Sequence, residues 1–255
     1  MELVDYALDG AVAVITLNRP PVNALNPELI ADIDAAIAMA ETPEVRAVVI
    51  TGSPHFAAGA DITGFQAAFD SGAEERQATG LSEAVLRLEN LPKPTIAAIN
   101  GFALGGGLEL AMGADFRYLG SSAKVGQPEI LLGIIPGAGG TQRLARIVGP
   151  QRCKELCLTG RHVGADEAHA IGLADKVADD DDALGLALAD AQKMATGPTV
   201  AYGAVKRAVM RGFDRTLEEG LAIEAEQFAR VFTTTDARIG VKAFIDKERP
   251  DFTGS

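Results

Sequence analysis

Apolar and polar positions along this chain switch repeatedly between two periods. Ala11-Val-Ala-Val-Ile-Thr-Leu17 is built of small and β-branched residues and stops at Asn18-Arg19-Pro20-Pro21, which predicts a strand ending in an irregular turn. From Pro27 to Ala40 the apolar positions Leu29, Ile30, Ile33, Ala36 and Ile37 keep helical spacing, with Asn26 as N-cap and Pro27 at the first helical position. A buried-type strand over 45–51, a helix near 82–91, a strand over 95–99, a helix over 106–113 and a strand over 115–119 continue the rhythm. Such alternation predicts an α/β core of largely parallel strands joined by crossover helices. Beyond about residue 181 strand signals stop, and helices are predicted at 182–194, 198–211, 214–231 and 235–247. In the third of these Leu217, Leu221, Phe228 and Phe232 form an apolar stripe, suited either to a lid on the chain's own core or to an oligomerisation surface.

Length and composition narrow the class. A chain of 255 residues is long enough to bury a sizeable core, as one large domain or one domain with a smaller appendage. Hydrophobic residues make up 47% and charged residues 23%, and no stretch approaches the roughly 18 apolar residues of a membrane span, so a soluble protein without a membrane partner is expected. Met1-Glu-Leu-Val-Asp-Tyr6 lacks the basic start of a targeting peptide, which makes the cytoplasm the expected compartment. A net charge of −12 opposes nucleic-acid binding, while a local cluster of Lys and Arg can still hold a small anionic ligand.

The cysteines, Cys153 and Cys157, are four apart in a helical-looking segment and read as ordinary small apolar side chains. His55, His162 and His169 form no metal-ligand pattern, so no metal is expected. No Gly-x-Ser-x-Gly elbow, ATP-type loop or dinucleotide fingerprint occurs. The run Asp179-Asp-Asp-Asp182 reads as a solvated turn before a helix.

Three segments carry candidate chemistry. In Phe56-Ala-Ala-Gly-Ala-Asp-Ile62 small residues bracket a turn just after a strand, which lets a ligand approach the backbone. In Asn100-Gly-Phe-Ala-Leu-Gly-Gly-Gly-Leu-Glu-Leu110 a strand runs into three glycines that open a helix, whose unpaired N–H groups suit negative charge. Tight helix–strand packing is the plainer explanation of those glycines. Glu109, however, sits among Leu108, Leu110, Ala111 and Met112, company in which a glutamate is rarely buried unless paired or functional. The third segment, Lys124 to Gly140, sets Glu129 before a run of apolar residues. Two glutamates in unequal apolar surroundings can supply one acid and one base.

Taken in order, Asn18-Arg-Pro with Asn23-Ala-Leu-Asn26, Phe56 to Ile62, Gly101-Phe-Ala-Leu-Gly-Gly-Gly-Leu-Glu-Leu110, and Gly126-Gln-Pro-Glu-Ile-Leu-Leu-Gly-Ile-Ile-Pro-Gly-Ala-Gly-Gly-Thr-Gln-Arg-Leu144 resemble the enoyl-CoA hydratase/isomerase, or crotonase, family. Ala243-Phe-Ile-Asp-Lys-Glu-Arg-Pro-Asp-Phe252 is similar to that family's C-terminal helix and tail. The resemblance covers essentially the whole chain. It implies a spiral of ββα units over 1–195 that carries the active site, followed by a helical trimerisation region over 196–255. It also implies a homo-oligomer, a trimer or a dimer of trimers, and an acyl-CoA thioester as substrate, with coenzyme A part of that substrate and no separate cofactor.

By position, the resemblance implies an oxyanion hole from the backbone N–H groups of Ala60 and Gly106. It implies Glu109 as the base on water, Glu129 as the acid supplying the α-proton, and Gly137 as a backbone position beside the water. Coenzyme A contacts are implied at Ala24, Asp61 and Ile62 and at Phe244 and Lys247. The expected activity is reversible syn addition of water to a trans-2-enoyl-CoA. An enoyl-CoA isomerase and a non-catalytic acyl-CoA-binding homologue are the alternatives. The loop Gly64–Gly80 is the chain's own, and Phe65 and Phe69 are candidates for the acyl tunnel. Ile239 stands where the family commonly has an acidic residue before Gly240.

Overall fold

The computed structural model describes residues 1–65 and 79–255. The chain opens with β1 (Val4–Asp9) and β2 (Val12–Leu17), an antiparallel pair in which Val4 faces Leu17. Of β1 only Val4 is buried, so this edge strand lacks the apolar alternation that marks β2 and is absent from the sequence-based expectation. Then comes α1 (Pro27–Met39), capped as predicted: the Asn26 side chain accepts from the Leu29 N–H at 2.9 Å, and Leu29, Ile33, Ala36 and Ile37 are buried. β3 (Ala47–Gly52), α2 (Thr79–Asn90) and β4 (Thr95–Ile99) follow, close to their predicted limits.

From β4 onward a strand–strand–helix unit repeats. β4 is followed by the short β5 (Phe102–Leu104) and α3 (Gly106–Met112). β6 (Phe116–Gly120) is followed by β7 (Lys124–Gly126), a 3-10 turn over Glu129–Leu132 and α4 (Gly140–Val148). The main sheet runs β1-β2-β3-β4-β6-β9, parallel from β2 onward, where β9 is Lys176–Ala178; β5 and β7 form a smaller sheet with β8 (Val163–Gly164). Between them lie α5 (Pro150–Thr159) and α6 (Ala165–Ala170). Strands of two or three residues carry no readable period, which is why β5 and β7 to β9 escape a reading based on alternation.

The two faces of the main sheet divide the core. Val48, Ile50, Ala97 and Ile99 point into the larger cluster with α1, α2 and α3, whereas Ala47, Val49, Ile96 and Ala98 point to the opposite face. That second face is covered by α7 (Ala183–Ala195), which buries Ala183, Ala187, Ala191 and Ala195 at one-turn spacing, a small-residue stripe that lets the helix lie close to the strands. The acidic run before α7 does more than face solvent: Asp181 accepts from the Ser122 N–H and hydroxyl at 2.9 and 2.7 Å, and Asp182 caps α7 through the Gly185 N–H at 2.8 Å.

The chain ends in α8 (Thr199–Gly212), α9 (Leu217–Phe232) and α10 (Thr235–Asp246). Its tail returns to the core. Buried Asp236 accepts from the Thr253 and Gly254 N–H groups, and Arg46 donates to the Gly197 and Phe252 carbonyls. Among the described residues no helix is long and apolar enough to cross a membrane.

One buried cation ties the first helix to the sheet. Lys93, just before β4, donates to the carbonyls of Ala40, Thr42 and Val45 at 2.7, 2.9 and 2.8 Å, closing the C-terminal end of α1 where the helix dipole favours positive charge. Replacing it with Met keeps the bulk and leaves the Ala40 and Val45 carbonyls without that donor, Thr42 keeping only the Val45 N–H. Lys93→Met is expected to lower stability by about 3 kcal/mol in urea unfolding at fixed protein concentration; a loss under about 1 kcal/mol would contradict this reading.

Candidate active site

The site is built around the N-terminal end of α3, all seven of whose residues are buried. Three successive glycines there serve three different ends. Gly105 turns the chain from β5 into the helix at φ +52°, donates its N–H to Gly126 at 2.9 Å, and lies so near Glu129 that a Cβ would sit 2.9 Å from Oε1. Gly107 meets backbone directly, since a Cβ would be 2.1 Å from the Ala57 carbonyl oxygen. Here the plainer packing explanation applies. Gly106 has Leu81 and Leu25 over it and Ala60 beside it, a Cβ falling 3.9 Å from the Ala60 nitrogen.

Backbone pairing orients that last contact. Leu25 and Ala60 form a parallel bridge in which the Leu25 N–H donates to Gly59 at 2.8 Å and the Asp61 N–H donates to Leu25 at 2.9 Å. Amides alternate sides along an extended segment, so the Ala60 N–H faces away from Leu25. Gly106 is the first residue of its helix, and its N–H has no acceptor inside it. Two backbone donors from distant parts of the chain are therefore brought close together, an arrangement able to receive a developing oxyanion.

Both candidate glutamates reach this place. Glu109 is 3% exposed. Its Oε1 accepts from the Ala138 and Gly140 N–H groups, each at 2.7 Å, while Oε2 makes no hydrogen bond among the described residues. Burial pushes its pKa up, and the two amides and the Arg143 charge work against that shift. Glu129 opens the 3-10 turn, half-buried against Gly105; with its amide nitrogen turned inward, Gln127 donates to both carboxylate oxygens at 2.8 and 3.1 Å. Burial, reinforced by the charge of Glu109, pushes Glu129 up to about 7, with its own backbone N–H opposing. The carboxylates thus differ in support: one is fixed by two amides, the other by a side chain.

The remaining predicted residues divide. Gly137 lies in the loop whose next residue, Ala138, holds Glu109. Ala24 and Asp61 are tied together by Arg19, which the sequence reading did not single out: its guanidinium donates to the Ala24 carbonyl at 2.8 Å and to Asp61 Oδ2 at 2.6 Å. Hydrogen bonds from Thr63, then Arg19, hold the Asp61 carboxyl below its ordinary range. Ile62 is exposed and Phe65 half-buried beside this segment, while Phe69 lies outside the described residues. Phe244 and Lys247 are not joined to it by any described hydrogen bond: Phe244 is 86% exposed on α10, and Lys247 closes that helix in a left-handed conformation. Gln127 and Arg143 stand inside the motifs that carry Glu129 and Gly137, and their position there is the only signal the sequence holds for them. Among the described residues no group of three or more His, Cys, Asp or Glu side chains is placed to hold a metal ion.

Comparison with known proteins places the chain in a family. The family model for enoyl-CoA hydratase/isomerase matches residues 8–255. A short-chain-enoyl-CoA hydratase of Clostridium acetobutylicum is 43% identical, the match covering 98% of this chain and 97% of that protein. A crotonyl-CoA hydratase of Syntrophomonas wolfei is also 43% identical, over 94% of each. The crystal structure of an enoyl-CoA hydratase from Bacillus anthracis superposes with a TM-score of 0.94 at 35% identity, covering 99% of this chain and 100% of that one. The chain belongs to the enoyl-CoA hydratase/isomerase family.

The contact between Gly105 and Glu129 is testable by substitution. Gly133, at φ +75° with nothing within 4 Å of an added Cβ, serves as control. Gly133→Ala is expected to lose about 1 kcal/mol of stability from backbone strain alone. Gly105→Ala, which adds both a backbone conformation closed to side chains (φ +52°, ψ −124°) and a collision with Glu129, should lose roughly 3 kcal/mol in the same urea titration; equal losses would deny the close approach.

Proposed function

We propose that this protein is an enoyl-CoA hydratase, adding water reversibly and syn across a trans-2-enoyl-CoA to give the 3-hydroxyacyl-CoA. The observation that carries this reading is the pair of differently supported carboxylates, Glu109 buried and Glu129 half-buried, near two backbone donors brought close together. An isomerase needs the oxyanion site and one carboxylate to shuttle a proton; a second carboxylate is what water activation adds.

In this reading the thioester oxygen lies between the N–H groups of Ala60 and Gly106. Glu109 Oε2 takes a proton from water as its oxygen bonds to C3, and the C2–C3 π pair moves onto the thioester as an enolate held by the two amides. Glu129 then gives its proton to C2, and the pair resets by exchange with solvent. The loop around Gly137 flanks the water. Coenzyme A runs along Ala24, Asp61 and Ile62, which Arg19 fastens as one unit, and Phe244 and Lys247 stay candidates for its far end. Coenzyme A arrives with the substrate, and the reaction calls on no other cofactor.

The helical region 196–255 we read as an oligomerisation surface of a trimer or a dimer of trimers. Support comes from α9, where Leu217 is 79% exposed and Leu221, Phe228 and Phe232 are exposed with it, next to Val205, Val209 and Met210 on α8. So large an apolar surface is unusual on a monomer. Sedimentation at micromolar protein is expected to give a trimer or a hexamer, and a monomer would overturn the assignment.

Loss of the enoyl-thioester absorbance with crotonyl-CoA tests the chemistry, short substrates being the first choice because two similar proteins carry short-chain names. Glu109→Gln and Glu129→Gln are each expected to lower kcat by roughly 10²–10⁴-fold. A parent that isomerises 3-enoyl-CoA much faster than it hydrates, or a Gln variant as active as the parent, would sink the proposal. Hydration releases no proton, so forward and reverse kcat/KM share one pH dependence, and each direction needs one proton on the pair. With Glu129 at about 7, that proton leaves as pH rises through neutrality, and kcat/KM should fall about tenfold per unit above it; a flat profile to about pH 9 would contradict the assignment.

A further inference from the structure

Glu109 is held by a loop, and the loop is itself held. Arg143 on α4 donates from Nη1 to the Ala138 carbonyl at 3.1 Å, while Nε and Nη2 fork onto the Glu89 carboxylate of α2 at 3.2 and 2.8 Å. The two side chains are only 15% and 20% exposed. The guanidinium lies hard against the loop backbone, for a Cβ on Gly139 would be 2.1 Å from Nη1. Ala138 therefore gives its carbonyl to Arg143 and its N–H to Glu109 Oε1.

We propose that Arg143, anchored by Glu89, is a positioning residue for Glu109: it sets the 138–140 loop so that both amides converge on Oε1, leaving Oε2 to take the proton from water, and places a positive charge behind that loop. The role given to Glu109 rests on the hydratase reading; the clamp rests on its own contacts. The titratable and charged groups that interact electrostatically with Glu109 are Glu129 from the 3-10 turn, the Cys157 thiol from α5, and Arg143 from α4 with Glu89 behind it. Among these Arg143 is the cation. Its planar fork fits a carboxylate and a carbonyl at once, which a lysine ammonium does not reproduce.

Two measurements on the intact protein test this. Infrared pH-difference spectra, with Glu109→Gln identifying the Glu109 band, give its titration midpoint without reference to turnover. Steady-state hydration of crotonyl-CoA gives kcat and KM. In Arg143→Met the midpoint is expected to rise, because removing the cation takes away one of the three groups that oppose burial and leaves only the two amides. Its kcat should fall about 10- to 100-fold with KM little changed. Arg143→Lys should restore the midpoint but only part of kcat. Glu89→Gln, a near-isosteric change, should lower kcat several-fold without raising the midpoint, and Glu89→Gln combined with Arg143→Met should be no worse than Arg143→Met alone.

An unchanged midpoint in Arg143→Met, or indistinguishable Met and Lys variants, overturns the proposal. If Arg143→Met does not fold, full kcat in Glu89→Gln overturns it as well. A parent that fails to hydrate while the midpoint still moves would refute the hydratase reading and leave the clamp standing.

Discussion

Backbone meets backbone at Gly107, where α3 lies so close to the segment after β3 that a Cβ would fall 2.1 Å from the Ala57 carbonyl oxygen. No side chain larger than hydrogen permits that distance, and the rest of the site follows from it. With α3 seated this deeply, its first residue lies against Ala60, and Glu109, one turn in, is buried within the helix's enclosed face. The short β5 and its pairing with β7 set the entry to the helix, and the Gly105 N–H bond to Gly126 locks that entry against the strand leading to Glu129.

Enclosure raises the cost of charge on both glutamates, and the structure answers it unequally. Glu109 has two amides on one oxygen and a guanidinium behind the loop that carries them. Glu129 has the Gln127 amide and feels its neighbour's charge. Two like groups are in this way made different by their supports, which is the condition for one to donate a proton where the other accepts one. The same economy governs Arg19, which fastens Ala24 and Asp61 with one side chain and so joins the segment before α1 to the segment that presents the Ala60 N–H.

Away from the site, buried charge is used as a fastener. Lys93 closes α1, Arg117 donates to the Leu173 and Ala114 carbonyls beside Asp175, and Asp236 gathers the chain's tail. These ties are compact and satisfied. The helices after α7 contrast with them: their stripes of Leu, Val and Phe remain uncovered within the chain.

Elements whose own residues repeat often enough to show a period can be read from the chain alone. α1 with its Asn26 cap, β2, β3, β4 and the four C-terminal helices fall close to where spacing put them, because amphipathic order is a local property. β1 escaped because an edge strand needs only one buried side, and β5 and β7 to β9 because two or three residues hold no period. Glu109 and Glu129 were legible as oddities, acids in apolar company. That they share one site, that Gly106 stands beside Ala60, and that Arg143 and Arg19 hold the loops in place come from the fold. These are contacts between segments far apart in the chain, and nothing in the spacing of residues along a strand or helix encodes the distance between two of them once folded.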